Sequence, residues 1–391
     1  MLSRDITFET KHTKITQPIK NPGVIDHSAV KVVLRTTDFR KGPGYWKLNN
    51  SILSDSEYLI ETRNVIEKVI KEYKALKSFQ LIWELIKINV KESTISYYKN
   101  KSKKISNHIQ DIQAELNDLN ANILKLETKI GQNNNDTIKL NTLYVKRSEL
   151  ESKQQHYYSV KQKGIAVRAR VKWIEGGDIP SKYFLSLEKQ RQTANVLTKL
   201  TSNDKIIEDE RGILNETLDF FHNLYTAKHI PTKQIEEYFE NQRNSKTLTL
   251  SEQRLCEKDI SVDEVTSVIQ SLKKNKSPGT DGLTSEFYQT FWQELQPVFT
   301  PMLAETFQKG ILPDSTKKSI ITLIYKKGDR TQLKNYGPIS LTNCDYKIIA
   351  FAFAKRLQQV IPNLISCDQT GYIKNRFIGC SLRRIIDIVQ Y

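Results

Sequence analysis

The stretch ISNHIQDIQAELNDLNANILKLETKI, Ile105 to Ile130, places Ile105, Ile109, Ile112, Leu116, Leu119, Ile123, Leu126 and Ile130 at alternating intervals of 4 and 3. That is an unbroken a/d seam, and at the helical rise it spans about 39 Å. A break, GQNNND at residues 131–136, follows. Beyond it Leu140, Leu143, Leu150 and Tyr157 form a poorer seam, interrupted by Arg147 and Gln154. The pattern predicts a long antiparallel helical hairpin over about residues 99–163, projecting from the body. A helical partner docking on 105–130 in a parallel coiled coil is the alternative, which the Asn-rich break and the mismatched second seam disfavour.

Toward the N-terminus, Ser54 or Asp55 is placed to cap a helix with Leu59, Ile66, Val69, Ile70 and Tyr73 on one face. SFQLIWELIKINV, from residue 78, is expected to continue it. Before RKGPG the pattern is β: DITFE, a Pro/Gly turn in QPIKNPGV, then AVKVVLRT with Val30, Val32 and Leu34 on one face. Two or three strands do not make a stable domain, so residues 1–36 read as the closing piece of a larger sheet.

Toward the C-terminus, residues 164–250 are mixed, with an amphipathic helix in DERGILNETLDFFHNLYTA. Ser261 and Glu264 have capping-box spacing, and NKSPGTDG is a run of tight turns. Phe287 and Phe291 mark a short helix; Pro297 is expected at the start of the next, which Gly310 and Pro313 end. SIITLIY is a strand leading into the turn KKGDRT. DYKIIAFAFAKRLQQVI is apolar nearly all round and is expected to be buried, and Leu382, Ile385, Ile386 and Val389 fall at helical spacing. The expected class is mainly α with small α+β parts.

Lys and Arg number 60 against 44 acidic residues, a net charge of +16 over 391 residues, which points to a polyanionic partner. No apolar run approaches the ~18–20 residues of a membrane span, and the start lacks a secretory h-region. The expectation is an intracellular chain, nuclear or cytoplasmic, that is neither secreted nor inserted in a membrane. Cys256, Cys344, Cys367 and Cys380 are far apart, which favours reduced structural thiols over a zinc site. Lys326, Lys327, Arg330 and Lys334 surround a turn containing Gly328, and Lys374, Arg376, Arg383 and Arg384 follow DQTGY. Each cluster suits phosphate contacts, although each taken alone is more often a solvated basic face than a site.

The order of these elements decides between the two. KKNKSPGTDGLTSEFYQTFW, LIYKKGDRTQLKNYGPISLTNCDYKIIAFAFAKRL and ISCDQTGYIKNRF resemble successive N-terminal and fingers motifs of the reverse transcriptase of LINE-type, non-LTR retrotransposons. VRARVKWIEGGDIPSKYFLSLEKQ and KGPGYWKLNNSIL resemble the segment between that family's endonuclease and polymerase, and DHSAVKVVL the closing motif of its endonuclease. The resemblance implies three parts: an endonuclease remnant at 1–36, a helical connector at 37–250, and at 251–391 the fingers part of a right-hand polymerase whose palm is missing.

It also implies roles. Lys326 or Lys327 would lie by the incoming triphosphate, with Arg330 and Lys334 beside them, and Gln369, Lys374 and Arg376 near the template. RNA template and DNA primer would be the partners. Three positions depart from the family pattern: Gly337 where arginine is usual, Tyr325 where proline is usual, and Asn375 where glycine is preferred. His27, beside Asp26, resembles the endonuclease histidine, but the groups that would complete that site do not fit in the residues before it. Mg²⁺ belongs to the palm carboxylates of the intact parent enzyme. Asp345, Asp368 and Asp387 read as caps or surface residues, so no metal, cofactor or complete catalytic set is expected in these residues. The alternative is a non-enzymatic coiled-coil protein that binds nucleic acid.

Overall fold

The computed structural model describes residues 9–16, 29–35, 44–128, 134–169, 197–202, 205–227, 230–240 and 246–390. The chain divides into two compact units, Met1–Trp46 and Lys47–Tyr391. In the first, β1 (Glu9–Thr16) pairs antiparallel with β2 (Ala29–Arg35), Ile15 opposite Val30 and Thr13 opposite Val32. Of DITFE only Glu9 is described, where β1 begins, and the strand runs on through a segment with β-branched Thr and Ile. Residues 5–8, the turn at 17–24, and Asp26 and His27 lie outside the described residues.

The second unit is mostly helical, with two small antiparallel sheets. Asp55 caps α1 (Ser56–Glu72) by accepting from the Glu57 amide. The expected continuation is instead a separate helix: Ser78 caps α2 (Phe79–Glu127), a single helix of 49 residues. At 1.5 Å per residue it is about 74 Å long. The two helices run antiparallel, joined by Tyr58 Oη with Thr94 Oγ1 (2.9 Å), Ser93 Oγ to Glu61 (2.9 Å) and Tyr97 Oη to Asp55 (2.6 Å). One half of α2 thus builds the body while the other becomes the first limb of the arm.

The second limb is α3 (Asn134–Ala169). The seam read from sequence turns inward: Leu116, Leu119 and Ile123 are buried and Ile105, Ile109, Ile112 and Leu126 half-buried, and in α3 Leu140 and Leu150 are buried with Arg147 and Gln154 half-buried. Leu119, Ile123 and Leu140 form one apolar cluster with Leu126 and Leu143. Of the polar interruptions, Gln154 donates to Gln113 of α2 (2.9 Å), whereas Arg147 is held within its own helix by Glu151 (2.9 Å); Lys146 pairs with Glu115 across the arm (2.8 Å). The seam is therefore satisfied within one chain. Ile130 and residues 131–133 of the break lie outside the described residues.

Beyond the arm, β3 (Leu200–Ser202) and β4 (Lys205–Ile207) form a small hairpin, followed by α4 (Glu210–Tyr225), α5 (Thr232–Glu240) and α6 (Leu250–Glu257). The segment from Val167 to Gln190 lies mostly outside the described residues. Ser261 and Glu264 make the reciprocal capping box of α7 (Val262–Ser271). After α8 (Ser285–Thr290), α9 (Trp292–Lys309) begins at Trp292, so Pro297 sits inside it rather than at its start; Gly310 ends it at φ 67°. Then come β5 (Ser319–Tyr325), β6 (Tyr336–Thr342), α10 (Cys344–Leu364) and α11 (Ile378–Gln390).

Helix α10 is buried on one face only. Ile348, Ile349, Ala352 and Val360 pack inward, whereas Tyr346, Phe351 and Leu357 are exposed. Its Arg356 is buried and grips Glu264 through two hydrogen bonds (2.7 and 2.8 Å) while donating to the carbonyls of Lys258 and Asp259. One guanidinium thus joins the capping box of α7 to the end of α6. The Arg356 hydrogen bonds hold the Glu264 carboxyl down at about 2 despite partial burial.

Leu119→Asp should open the arm, lowering helicity by circular dichroism, while light scattering still reports a monomer. A dimer that dissolves on this substitution would mean that the seam pairs between chains.

Candidate nucleic-acid interface

The β5–β6 hairpin carries four of the cations singled out from sequence. Its strands pair from Ser319 opposite Thr342 to Tyr325 opposite Tyr336. The tip is tied by its own side chains. The Lys326 amide donates to Asn335 O (2.9 Å), Asn335 Nδ2 to Asp329 O (2.8 Å) and Tyr336 Oη to Arg330 O (2.7 Å). Gly328 turns at φ 95°, a conformation a side chain would strain. β3 pins the tip from outside: the Thr201 amide donates to Thr331 O (2.9 Å), and the two hydroxyls lie 3.0 Å apart.

Lys326, Lys327, Arg330 and Lys334 are all exposed, and none is in an ion pair among the described residues. Arg330 lies over the Tyr325 ring, 4.3 Å from its centroid, so the tyrosine that stands in place of proline holds a cation at the tip. Gly337, buried opposite Ile324, is covered by Lys326: a Cβ there would fall 2.7 Å from Lys326 Cε and 3.4 Å from its Nζ. The space left by the missing side chain is occupied by another cation.

The second cluster is used differently. Arg376 spends its guanidinium on carbonyls, Nη1 donating to Ser366 O and Gln369 O (2.9 Å) and Nη2 to Pro362 O (3.1 Å) and Ile365 O (3.2 Å). It closes the C-terminal end of α10 and shapes the loop that follows. Gln369 belongs to that loop through its backbone, and Lys374 is exposed. Asn375 has φ 64°, the left-handed conformation that favours glycine and that asparagine tolerates. No hydrogen bond or ion pair joins this loop to the hairpin tip among the described residues. Cys344 is buried, its thiol pushed up to about 12 by burial, whereas Cys367 and Cys380 are exposed rather than structural.

What holds the hairpin is a buried charge cluster that the sequence reading missed. Asp345 is fully buried, not a surface residue, because it accepts at Oδ2 from Lys87 Nζ (2.7 Å), Trp83 Nε1 (3.0 Å) and Thr316 Oγ1 (2.9 Å). Lys87 also donates to Ser315 Oγ and lies 3.8 Å from Glu84 and 3.9 Å from Asp281. Ser315 and Thr316 precede β5, and Asn343 and Asp345 follow β6, so Lys87 of α2 grips both roots of the hairpin. Asn343 ties in the SPGTDG turn, accepting from Thr280 Oγ1 and the Asp281 amide (both 3.2 Å) and donating to Ser315 O (2.8 Å). Gly279 is required here, since a Cβ would collide with Asn343 and the Thr342 backbone. The available signal was Glu84 and Lys87 set in the apolar run LIWELIKINV.

Burial alone would lower the Lys87 pKa, but Asp345, Asp281 and Glu84 together raise it. Asp345 is lowered, because the attraction of Lys87 and its hydrogen bonds outweigh burial. Asp281 is the unsatisfied member. Its Oδ2 faces Lys87 only at 3.9 Å and accepts no hydrogen bond among the described residues, and burial with the Asp345 charge pushes its carboxyl up to about 7.

Over 370 residues, 94% of this chain, the sequence is 30% identical to the Transposon TX1 uncharacterized 149 kDa protein of Xenopus laevis. Over 108 residues, 27% of the chain, it is 26% identical to the Retrovirus-related Pol polyprotein from type-1 retrotransposable element R1 of Bradysia coprophila. The chain belongs to the non-LTR retrotransposon polyproteins. It spans 27% of the length of the first relative and 11% of the second. No protein-family model matches it. No helix of this retrotransposon chain is long and apolar enough to cross a membrane among the described residues.

Lys87→Met should cost about 3–5 kcal/mol in urea unfolding, since it leaves Asp345 buried and unpaired. Adding Asp345→Asn should recover part of that loss, and a doubly substituted chain no better than the single one would refute the pairing. For Asp281, the folded chain holds a proton that the unfolded chain has released, from the ordinary carboxylate range up to about pH 7. The associated stability is present at low pH and lost as pH rises through about 7. Asp281→Asn should flatten that dependence and help most at alkaline pH; identical pH profiles for the two chains would count against it.

Proposed function

We propose that these residues are a stretch of a retrotransposon-encoded RNA-directed DNA polymerase, running from an endonuclease remnant through a helical connector into the polymerase fingers. Its part in the parent activity, target-primed reverse transcription, is to hold the phosphates of RNA template, DNA primer and incoming nucleotide. The observation that carries this reading is the hairpin tip: four exposed cations, in no ion pair among the described residues, on a turn fixed by its own hydrogen bonds. Similarity to retrotransposon polyproteins over most of the chain supplies the polyanion.

The stretch itself binds rather than catalyses. Among the described residues no group of three His, Cys, Asp or Glu side chains could hold a metal ion, and the close pair Asp281 and Asp345 is built around Lys87. No step through Mg²⁺ is assigned to the described residues. The packing of Leu119 and Ile123 against Leu140 and Leu143 of α3 favours this reading over the coiled-coil alternative.

RNA binding by the purified chain should weaken linearly with log salt, and Lys326→Gln with Lys327→Gln should reduce the slope by about 1–2. Binding that ignores salt would sink the reading, and primer extension by the chain would sink its non-catalytic part. Gly337→Arg should fold normally, displacing only the flexible end of Lys326, and should steepen the slope by about 1.

A further inference from the structure

The arm is electrically divided. At its foot, residues 97–104 of α2 carry Lys99, Lys101, Lys103 and Lys104 and no acid. Residues 152–169 of α3 carry Lys153, Lys161, Lys163 and Arg168, again with no acid. The antiparallel course of α3 brings this last stretch back toward the same foot. Farther out the balance reverses, residues 105–127 holding Asp111, Glu115, Asp118 and Glu127 against Lys125.

The two halves also use their cations differently. In the outer half Lys146 pairs with Glu115 and Arg147 with Glu151. At the foot Lys101 is taken by Asp55, which also accepts from Tyr97. Lys99, Lys103 and Lys104 are exposed and have no partner among the described residues. Helical geometry turns Lys99 and Lys103 away from the face that carries Tyr97 and Lys101 toward α1. Tyr98, 47% exposed, stands beside them.

We propose that the arm's foot is a second nucleic-acid surface, on which Lys99 and Lys103 of its outer face and Lys104 of the adjoining face contact the phosphate backbone and Tyr98 offers a ring to an unpaired base. The partner is a single-stranded stretch of RNA. Unpaired cations suit a polyanion, an exposed tyrosine suits a base that is not already stacked, and the acidic outer half repels the strand and confines it to the foot. The proposal rests on the nucleic-acid reading above and extends it to the connector, away from the hairpin.

The test is fluorescence anisotropy of the full chain with a labelled oligouridylate across a salt series. Lys99→Gln, Lys103→Gln and Lys104→Gln together remove exposed charge without touching the seam, and should lower the salt slope by about 2. Replacing the same three lysines by arginine should restore it, and Tyr98→Ala should weaken binding without changing the slope. The control is Lys273→Gln, Lys274→Gln and Lys276→Gln, three exposed lysines elsewhere. An equal loss in the control would overturn the proposal, leaving net charge as the explanation. An unchanged slope in the foot variant, with normal wild-type binding, overturns the foot alone; absence of salt-dependent binding by the wild type overturns the nucleic-acid reading with it. A foot variant that loses binding to phosphatidylserine vesicles but keeps its RNA slope would also overturn the RNA surface.

Discussion

The buried contact between Lys87 and Asp345 is the constraint on which the C-terminal half depends. Removing an ammonium and a carboxylate from water costs several kcal/mol each, recovered only when every remaining lone pair and proton is used. Here Trp83 of α2 and Ser315 and Thr316 before β5 supply those contacts, and Asp345 itself follows β6. The charge cluster therefore does more than offset its own desolvation. It fixes the roots of β5 and β6 relative to α2, and because α2 continues into the arm, one helix connects the arm to the base of the basic hairpin.

The cations divide by what surrounds them. Arg356 and Arg376 are saturated by carboxylate or carbonyl oxygens and act as internal fasteners. Lys326, Lys327, Arg330 and Lys334 face water from a backbone that is already hydrogen-bonded, so meeting a phosphate would cost little ordering of the turn. Lys326 also lies across Gly337, which leaves a positive charge beside the position where related polymerases are expected to carry arginine. A flexible ammonium is a weaker substitute for a forked guanidinium, but it preserves the sign of the field.

Much of this was legible in the sequence. The seam from Ile105 to Leu126 became the inward stripe of the arm, buried at Leu116, Leu119 and Ile123 and half-buried elsewhere, Ser261 and Glu264 became the capping box, and SIITLIY became a strand. Each is a local rule, set by a period or a cap within a few residues. The misreadings were non-local. Asp345 read as a cap or surface residue because its partner lies 258 positions away, and nothing in the sequence signalled that the loop around Arg376 folds back onto its guanidinium. The helix at α10 looked buried all round because composition does not reveal which face lacks a neighbour.

The sequence by itself determined that the chain is basic, mostly helical, bears a long hairpin arm and resembles a retrotransposon polymerase, since charge, helical period and motif order are properties of residues along the chain. Only the tertiary structure decided which charges are free to meet a phosphate. Whether a lysine is a ligand or a fastener depends on the dielectric around it and on the oxygens that other segments bring near, and neither quantity is written at its own position.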